Sequence, residues 1–189
     1  MDDPLLGQPV RDLLDALAAP TPVPAGGSAA AIAVAMGAAL LTMTARISDG
    51  HWPDAGACAA QAEALRRRAA PLAHEDAEAF SEVLRLRREH ADDAELGRAF
   101  DWAAELPLRI AEVGADVADL AAHAAPRVDP KVHGDAAAAA VLAQAGTGIA
   151  AHLVAINLAT SEGDERIRRA DELAEAATDA ARRAVVADS

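Results

Sequence analysis

The stretch TPVPAGGSAAAIAVAMGAALLTMTA, residues 21–45, changes character partway along. It opens as a loop of prolines and glycines. It continues as a run of small and apolar residues that carries no charge from Gly26 to Ala45. A helix made of that run has no polar face and belongs in the middle of a bundle. The run is also long enough to cross a bilayer. Alanine gains little from lipid, Thr42 and Thr44 are polar, and no basic cluster follows in a short loop. A buried central helix is therefore the better reading.

The chain around it fits a bundle. Its 189 residues suit one domain spanning 1–189, and they are 52% hydrophobic but only 2% aromatic. The core must then be built from Ala, Leu, Val and Ile. Strand formers are scarce, so the expected fold is all-α. Alanine cores are narrow, and such helices need a partner to bury enough area, which points to a homodimer. The formal net charge of −13 would repel nucleic acid, and no basic stripe offsets it. Cys58 is the lone cysteine, so an intrachain disulfide and a thiolate metal site are excluded. The segment MDDPLLGQPVRDLL has acids where a signal peptide needs bases, and the expected location is cytoplasmic.

The spacing predicts a first helix over Val10–Ala19, broken by Pro20, Pro22 and Pro24. Ser28 suits the N-cap of the central helix, which should end near Ser48. SDGHWPD is a loop. A third helix is expected over Ala55–His90 with Pro71 as a kink or break. A fourth is expected over Asp92–Ala124 with Pro107 as a second interruption. APRVDPKVHGD is a loop, and Asp135 can cap a fifth helix that reaches about Thr160. A last charged helix should run over Asp164–Val186, its acids and arginines forming a solvated face.

Three places carry candidate chemistry. The first is the loop with Pro22 and Pro24 leading to Gly26, Gly27 and Ser28. Adjacent glycines allow close approach of another molecule, and free N–H groups at a helix start attract electron-rich groups. A plain helix cap with a tight turn is the competing reading, and the absence of a following lysine rules out a phosphate loop. The second is HEDAEAFSEVL, residues 74–84. Asp76 has alanines at 73, 77 and 79, and a carboxylate facing an apolar cleft would have a raised pKa and could shuttle protons. A solvent-facing acid is the alternative. The third joins VDPKVHGD to AAHLVAINLATS. Lys131, the only lysine, sits there with His133 and Asp135; His152 and Asn157 follow on an apolar helix, where a buried polar group needs a hydrogen-bond partner. The histidines do not fall at zinc-binding spacings, so no metal is expected.

Taken together and in order, these motifs resemble the cyclodeaminase/cyclohydrolase family. The family's TPxPGGGS before an alanine-rich helix corresponds to TPVPAGGSAAAIAVAMGAAL, and its DAxAF to DAEAF at 76–80. PLRIAE at 107–112 and the pair AAAVLAQA and INL complete a match over nearly the whole chain. The resemblance implies an all-α homodimer with a folate-sized cleft and no cofactor beyond the tetrahydrofolate derivative that serves as substrate. The chemistry implied is cyclisation of formiminotetrahydrofolate with loss of ammonia, or hydrolysis of methenyltetrahydrofolate. Asp76 would be the acid/base. Pro24, Gly26, Gly27, Ser28, His51, Lys131, His133, Asp135, His152 and Asn157 would surround the substrate.

The chain departs from the family pattern at several points. Ala25 replaces the first glycine of GGGS, and Gly50, His51 and Trp52 stand where the family has glycine followed by lysines. VDPKVHGD replaces GNPNxxSD, and Leu153 and Ala155 replace an asparagine and an arginine. These changes leave two alternatives open: action on another amine, imine or cyclic amidine, or a helical dimer without catalysis.

Overall fold

The computed structural model describes residues 5–159 and 163–186, and among these every regular element is a helix. They are α1 (Val10–Ala18), α2 (Gly26–Ile47), α3 (Ala55–Ala69), α4 (Leu72–Arg88), α5 (Asp93–Ala124), a 3₁₀ turn (Pro130–Val132), α6 (His133–Asn157) and α7 (Glu165–Val186). The all-α bundle is as the sequence predicts. The boundaries correct it in three places and decide the kink-or-break alternative at Pro71.

Ser28 does not cap α2. The helix starts two residues earlier, after an extended Ala25, and the Ser28 hydroxyl donates to the Ala73 carbonyl of α4 at 2.7 Å. Pro71 is a full break, which separates α3 from α4. Pro107 interrupts nothing: it lies buried inside a continuous α5 of 32 residues. A proline in mid-helix deprives the carbonyl four residues back of its N–H partner. That carbonyl belongs to Ala103, and the Asn157 side-chain amide of α6 donates to it at 2.6 Å. Leaving such a group unpaired would cost about 1–3 kcal/mol. Lastly, α6 begins at His133, so Asp135 lies in its first turn and caps nothing. The proposed end near Thr160 lies outside the described residues.

α2 and α6 pack antiparallel, and glycine sets the spacing. A Cβ on Gly37 would come within 2.7 Å of the Ala139 carbonyl, and one on Gly146 within 2.7 Å of the Ala30 carbonyl. Near the start of α2, Gly26 faces Leu153. α5 fills the groove behind the pair, where a Cβ on Gly114 would run into Thr147 and Val34. The buried residues form one continuous core in which alanine alternates with larger side chains such as Leu41, Leu106, Ile110 and Val117. Ala packing lets helix backbones approach closely and fixes little side-chain entropy.

The reading of α2 as a wholly enclosed helix needs correction. One face, including Ala30, Val34, Ala38, Leu41 and Ala45, is fully buried. The opposite face is bare in the single chain and holds Met36, Met43 and Ile47 in the open.

Candidate functional site

The first turn of α2 meets α4 with no side chain between them. Gly27 is buried, and a Cβ there would overlap both oxygens of the Asp76 carboxylate. That carboxylate accepts a hydrogen bond from the Ser28 backbone N–H. One turn earlier on α4, Ala73 accepts from the Ser28 hydroxyl. Ser28 therefore fixes α4 with its side chain and holds the acid with its backbone. The approach to this turn is a proline-rich segment with a cis Val23–Pro24 peptide.

Burial pushes the Asp76 carboxyl up from 3.8 to about 6, and the Ser28 N–H bond opposes that shift without cancelling it. At neutral pH the group is then mostly ionised but close to its midpoint, the condition in which a carboxylate both accepts and returns a proton. Nearby, Glu75 takes the Arg109 guanidinium at 3.1 Å, so that cation ties α4 to α5, and among the described residues no cation pairs with Asp76. The Glu75–Arg109 pair, half in DAEAF's approach and half in PLRIAE, was not singled out in the sequence. The two charges lie 34 residues apart, and only the fold pairs them.

A cleft of about 670 Å³ opens on a different side of α4. Val23, Pro24, His74, Ala77, Glu78 and Ser81 stand on its wall, and Asp76 does not. Of the candidate residues only Pro24 belongs to it. The carboxylate with the raised proton affinity, and not this hollow, marks the candidate site, because volume alone supplies no chemistry.

The remaining candidates divide. Gly26 adjoins Gly27 and faces Leu153. Asn157 donates to Ala103, a bond that mends α5. His152 is exposed on α6. His51, Lys131, His133 and Asp135 lie at the other end of α2. There the Ser48 hydroxyl donates to Thr44 at 2.7 Å and accepts from the Asp129 N–H at 2.8 Å, which pins the 129–133 turn to the end of the helix. His133 Nδ1 lies 3.0 Å from the Ala125 carbonyl, and Trp52 packs on His123. At 1.5 Å per residue, Gly27 and Ser48 stand about 31 Å apart. A single chain does not bring these four residues to Asp76.

Among the described residues no three His, Cys, Asp or Glu side chains gather as a metal site. The Cys58 thiol is buried and pushed up to about 11 by desolvation, which makes it a poor nucleophile.

The comparisons with known proteins agree with this architecture. The sequence profile of the formiminotransferase-cyclodeaminase family matches residues 9–182. A methenyltetrahydrofolate cyclohydrolase from Methylorubrum extorquens is 33% identical over 162 residues, which cover 78% of each protein. The crystal structure of formiminotetrahydrofolate cyclodeaminase from Thermotoga maritima superposes with a TM-score of 0.87 over 95% of both chains, at 23% identity. At that identity the likeness establishes the fold.

Proposed function

Since the chain belongs to the formiminotransferase-cyclodeaminase family, we propose that it acts on a one-carbon unit bridging two nitrogens of a reduced folate, with hydrolysis of methenyltetrahydrofolate as its reaction. The relative at 33% identity carries the cyclohydrolase name, which favours hydrolysis over deamination. The observation that carries the reading is the Asp76 carboxylate, held against Gly27 by the Ser28 N–H with its pKa raised to about 6.

The chemistry follows from that placement. The methenyl carbon is an amidinium electrophile. Water adds to it while Asp76 takes one of the water's protons, giving a neutral tetrahedral carbon that bears a hydroxyl. One carbon–nitrogen bond then breaks, the proton on Asp76 goes to the departing nitrogen, the hydroxyl proton is released to solvent, and a formyl group remains on the other nitrogen. Atoms and charge balance with a single acid/base. The first turn of α2 adjoins Asp76 at Gly27, and a helix N-terminus favours electron density that develops on oxygen.

The cyclodeaminase direction uses the same groups: N10 attacks the formimino carbon carried on N5, and ammonia leaves with the proton. Absorbance of the methenyl chromophore separates the two, since it falls on hydrolysis and rises on cyclisation. If the wild-type protein turned over neither methenyl- nor formiminotetrahydrofolate, the folate reading would be lost. A second reading, action on another cyclic amidine or imine, draws support from Leu153. It places an apolar wall against Gly26 where the family pattern has a polar residue. A panel of such amidines, tested on a protein silent with folates, decides it.

A further inference from the structure

The turn that holds Asp76 has a second wall. Gly26 and Gly27 follow one another at the start of α2, and neither brings a side chain. A Cβ on Gly27 would meet the Asp76 carboxylate of α4, whereas one on Gly26 would stand 3.8 Å from Cδ1 of Leu153 on α6, an ordinary van der Waals contact. Successive helix residues point about 100° apart, so the carboxylate and the isobutyl group flank the turn from two directions. A molecule seated on the bare backbone of these two glycines touches both.

Hydrogen-bond acceptors are scarce at this turn. The free backbone groups of a helix start are N–H donors. The Ala25 carbonyl takes the Ala29 N–H at 3.1 Å, and the Val23 carbonyl takes the Thr21 hydroxyl at 3.2 Å. The Ser28 hydroxyl is buried and donates to Ala73. On α6 the polar neighbours of Leu153 are His152, which is exposed, and Asn157, whose amide nitrogen is turned to the Ala103 carbonyl. Asp76 is thus the acceptor that the turn presents, and the half-buried Leu153 presents none.

This division separates two kinds of one-carbon unit. The methenyl bridge and the protonated formimino group are both amidinium cations, so attraction to Asp76 does not tell them apart. They differ in their N–H groups. Both nitrogens of the methenyl ring are fully substituted, and its reacting carbon carries only a C–H. The terminal nitrogen of the protonated formimino group carries two N–H groups. Asp76 can accept one of them. The other is left against Leu153, and a buried donor without a partner weakens binding. Given the folate reading, on which the assignment rests, we infer that Leu153 is a specificity-determining residue: its methyl wall at Gly26 admits the ring-closed one-carbon unit and rejects the open unit with its terminal N–H groups.

Initial rates on the two substrates test it. Loss of methenyl absorbance measures hydrolysis, and ammonia release measures the reaction of formiminotetrahydrofolate. The wild type should favour the methenyl substrate by about tenfold or more in kcat/KM. Leu153→Asn offers an amide oxygen at the same wall. It should raise the formimino-to-methenyl ratio of kcat/KM by about tenfold to a hundredfold, mostly through a lower KM for the formimino substrate. Leu153→Ala removes bulk without adding an acceptor and should leave that ratio near the wild-type value, which separates a missing acceptor from missing space. Leu153→Thr brings a hydroxyl to the wall and repeats the measurement if circular dichroism shows that the amide disturbs α6. Three results overturn the selector and leave the folate reading standing: a wild type equally efficient on both substrates, a ratio that neither Asn nor Thr moves in folded protein, or a ratio that Ala moves as far as Asn does. A wild type that turns over neither substrate removes the folate reading and this inference with it.

Discussion

At its N-terminal end α2 touches α4 through a residue with no side chain, and at its C-terminal end it touches the 129–133 turn through a hydroxyl. Gly27 lets the Asp76 carboxylate press against backbone and lose most of its water, and its proton affinity rises in consequence. Ser48 instead bridges Thr44 and Asp129 with ordinary hydrogen bonds, and His51, Lys131 and Asp135 around it stay in solvent. The same helix thus makes one end chemically tense and the other chemically relaxed. Close backbone approach creates a perturbed group, whereas a polar bridge only positions its neighbours.

The strongest way to break this contrast is at Asp76. Asp76→Asn keeps size and the Ser28 N–H contact but removes the proton carrier, and turnover should fall by about 10²–10⁴-fold with helix content unchanged. Methenyl absorbance in stopped flow measures it; equal turnover would end the assignment. Next in size is the seam that holds the two ends apart. Gly146→Val would drive a Cβ into the Ala30 carbonyl and the Val34 side chain, both at 2.7 Å, and should cost about 3 kcal/mol by urea unfolding.

The tense end should also appear in the pH dependence of stability. Asp76 binds its proton more tightly in the folded chain than in the unfolded one, where the carboxyl titrates near 3.8. Its contribution is full below 3.8 and is lost as pH rises through about 6. Allowing for its remaining contact with solvent, the loss is on the order of 2 kcal/mol. Wild type minus Asp76→Asn, compared by thermal melts between pH 4 and pH 8, isolates that slope; parallel curves would show that the shift is absent.

The smallest contrast is between two polar residues that look alike in sequence. Asn157→Ala orphans the Ala103 carbonyl and should cost about 1–3 kcal/mol. Lys131→Ala, exposed and without an ion pair among the described residues, should leave stability within about 0.5 kcal/mol. Chemical denaturation of the pair in parallel checks both.

Much of this was legible beforehand, though unevenly. Pro71 breaks a helix as a proline should, and the Pro-Gly loop does end at a helix start. Asp76 could be picked out by its apolar neighbours, but its contact with Gly27, 49 positions away in the chain, could not. Pro107 misled because the repair comes from Asn157, on a helix that only tertiary packing brings near. Ser28 misled because serine is a common cap, yet here the two glycines enter the helix ahead of it so that the backbone can approach α4. The far-end residues were grouped with Asp76 by motif order alone. Motif order carries no information about which end of an antiparallel helix pair a loop will occupy.

The glycine seam between α2 and α6 has a consequence for how such a chain can drift over time. With carbonyls and Cα atoms in contact at Gly37 and Gly146, the two helices have no side-chain cushion along which to slide. One inserted residue in α2 would turn everything beyond it by about 100° and advance it by about 1.5 Å. The seam, the buried stripe and both ends would lose register at once. Residues on the bare face can be exchanged one by one, but α2 behaves as a ruler: its lettering can change and its length cannot.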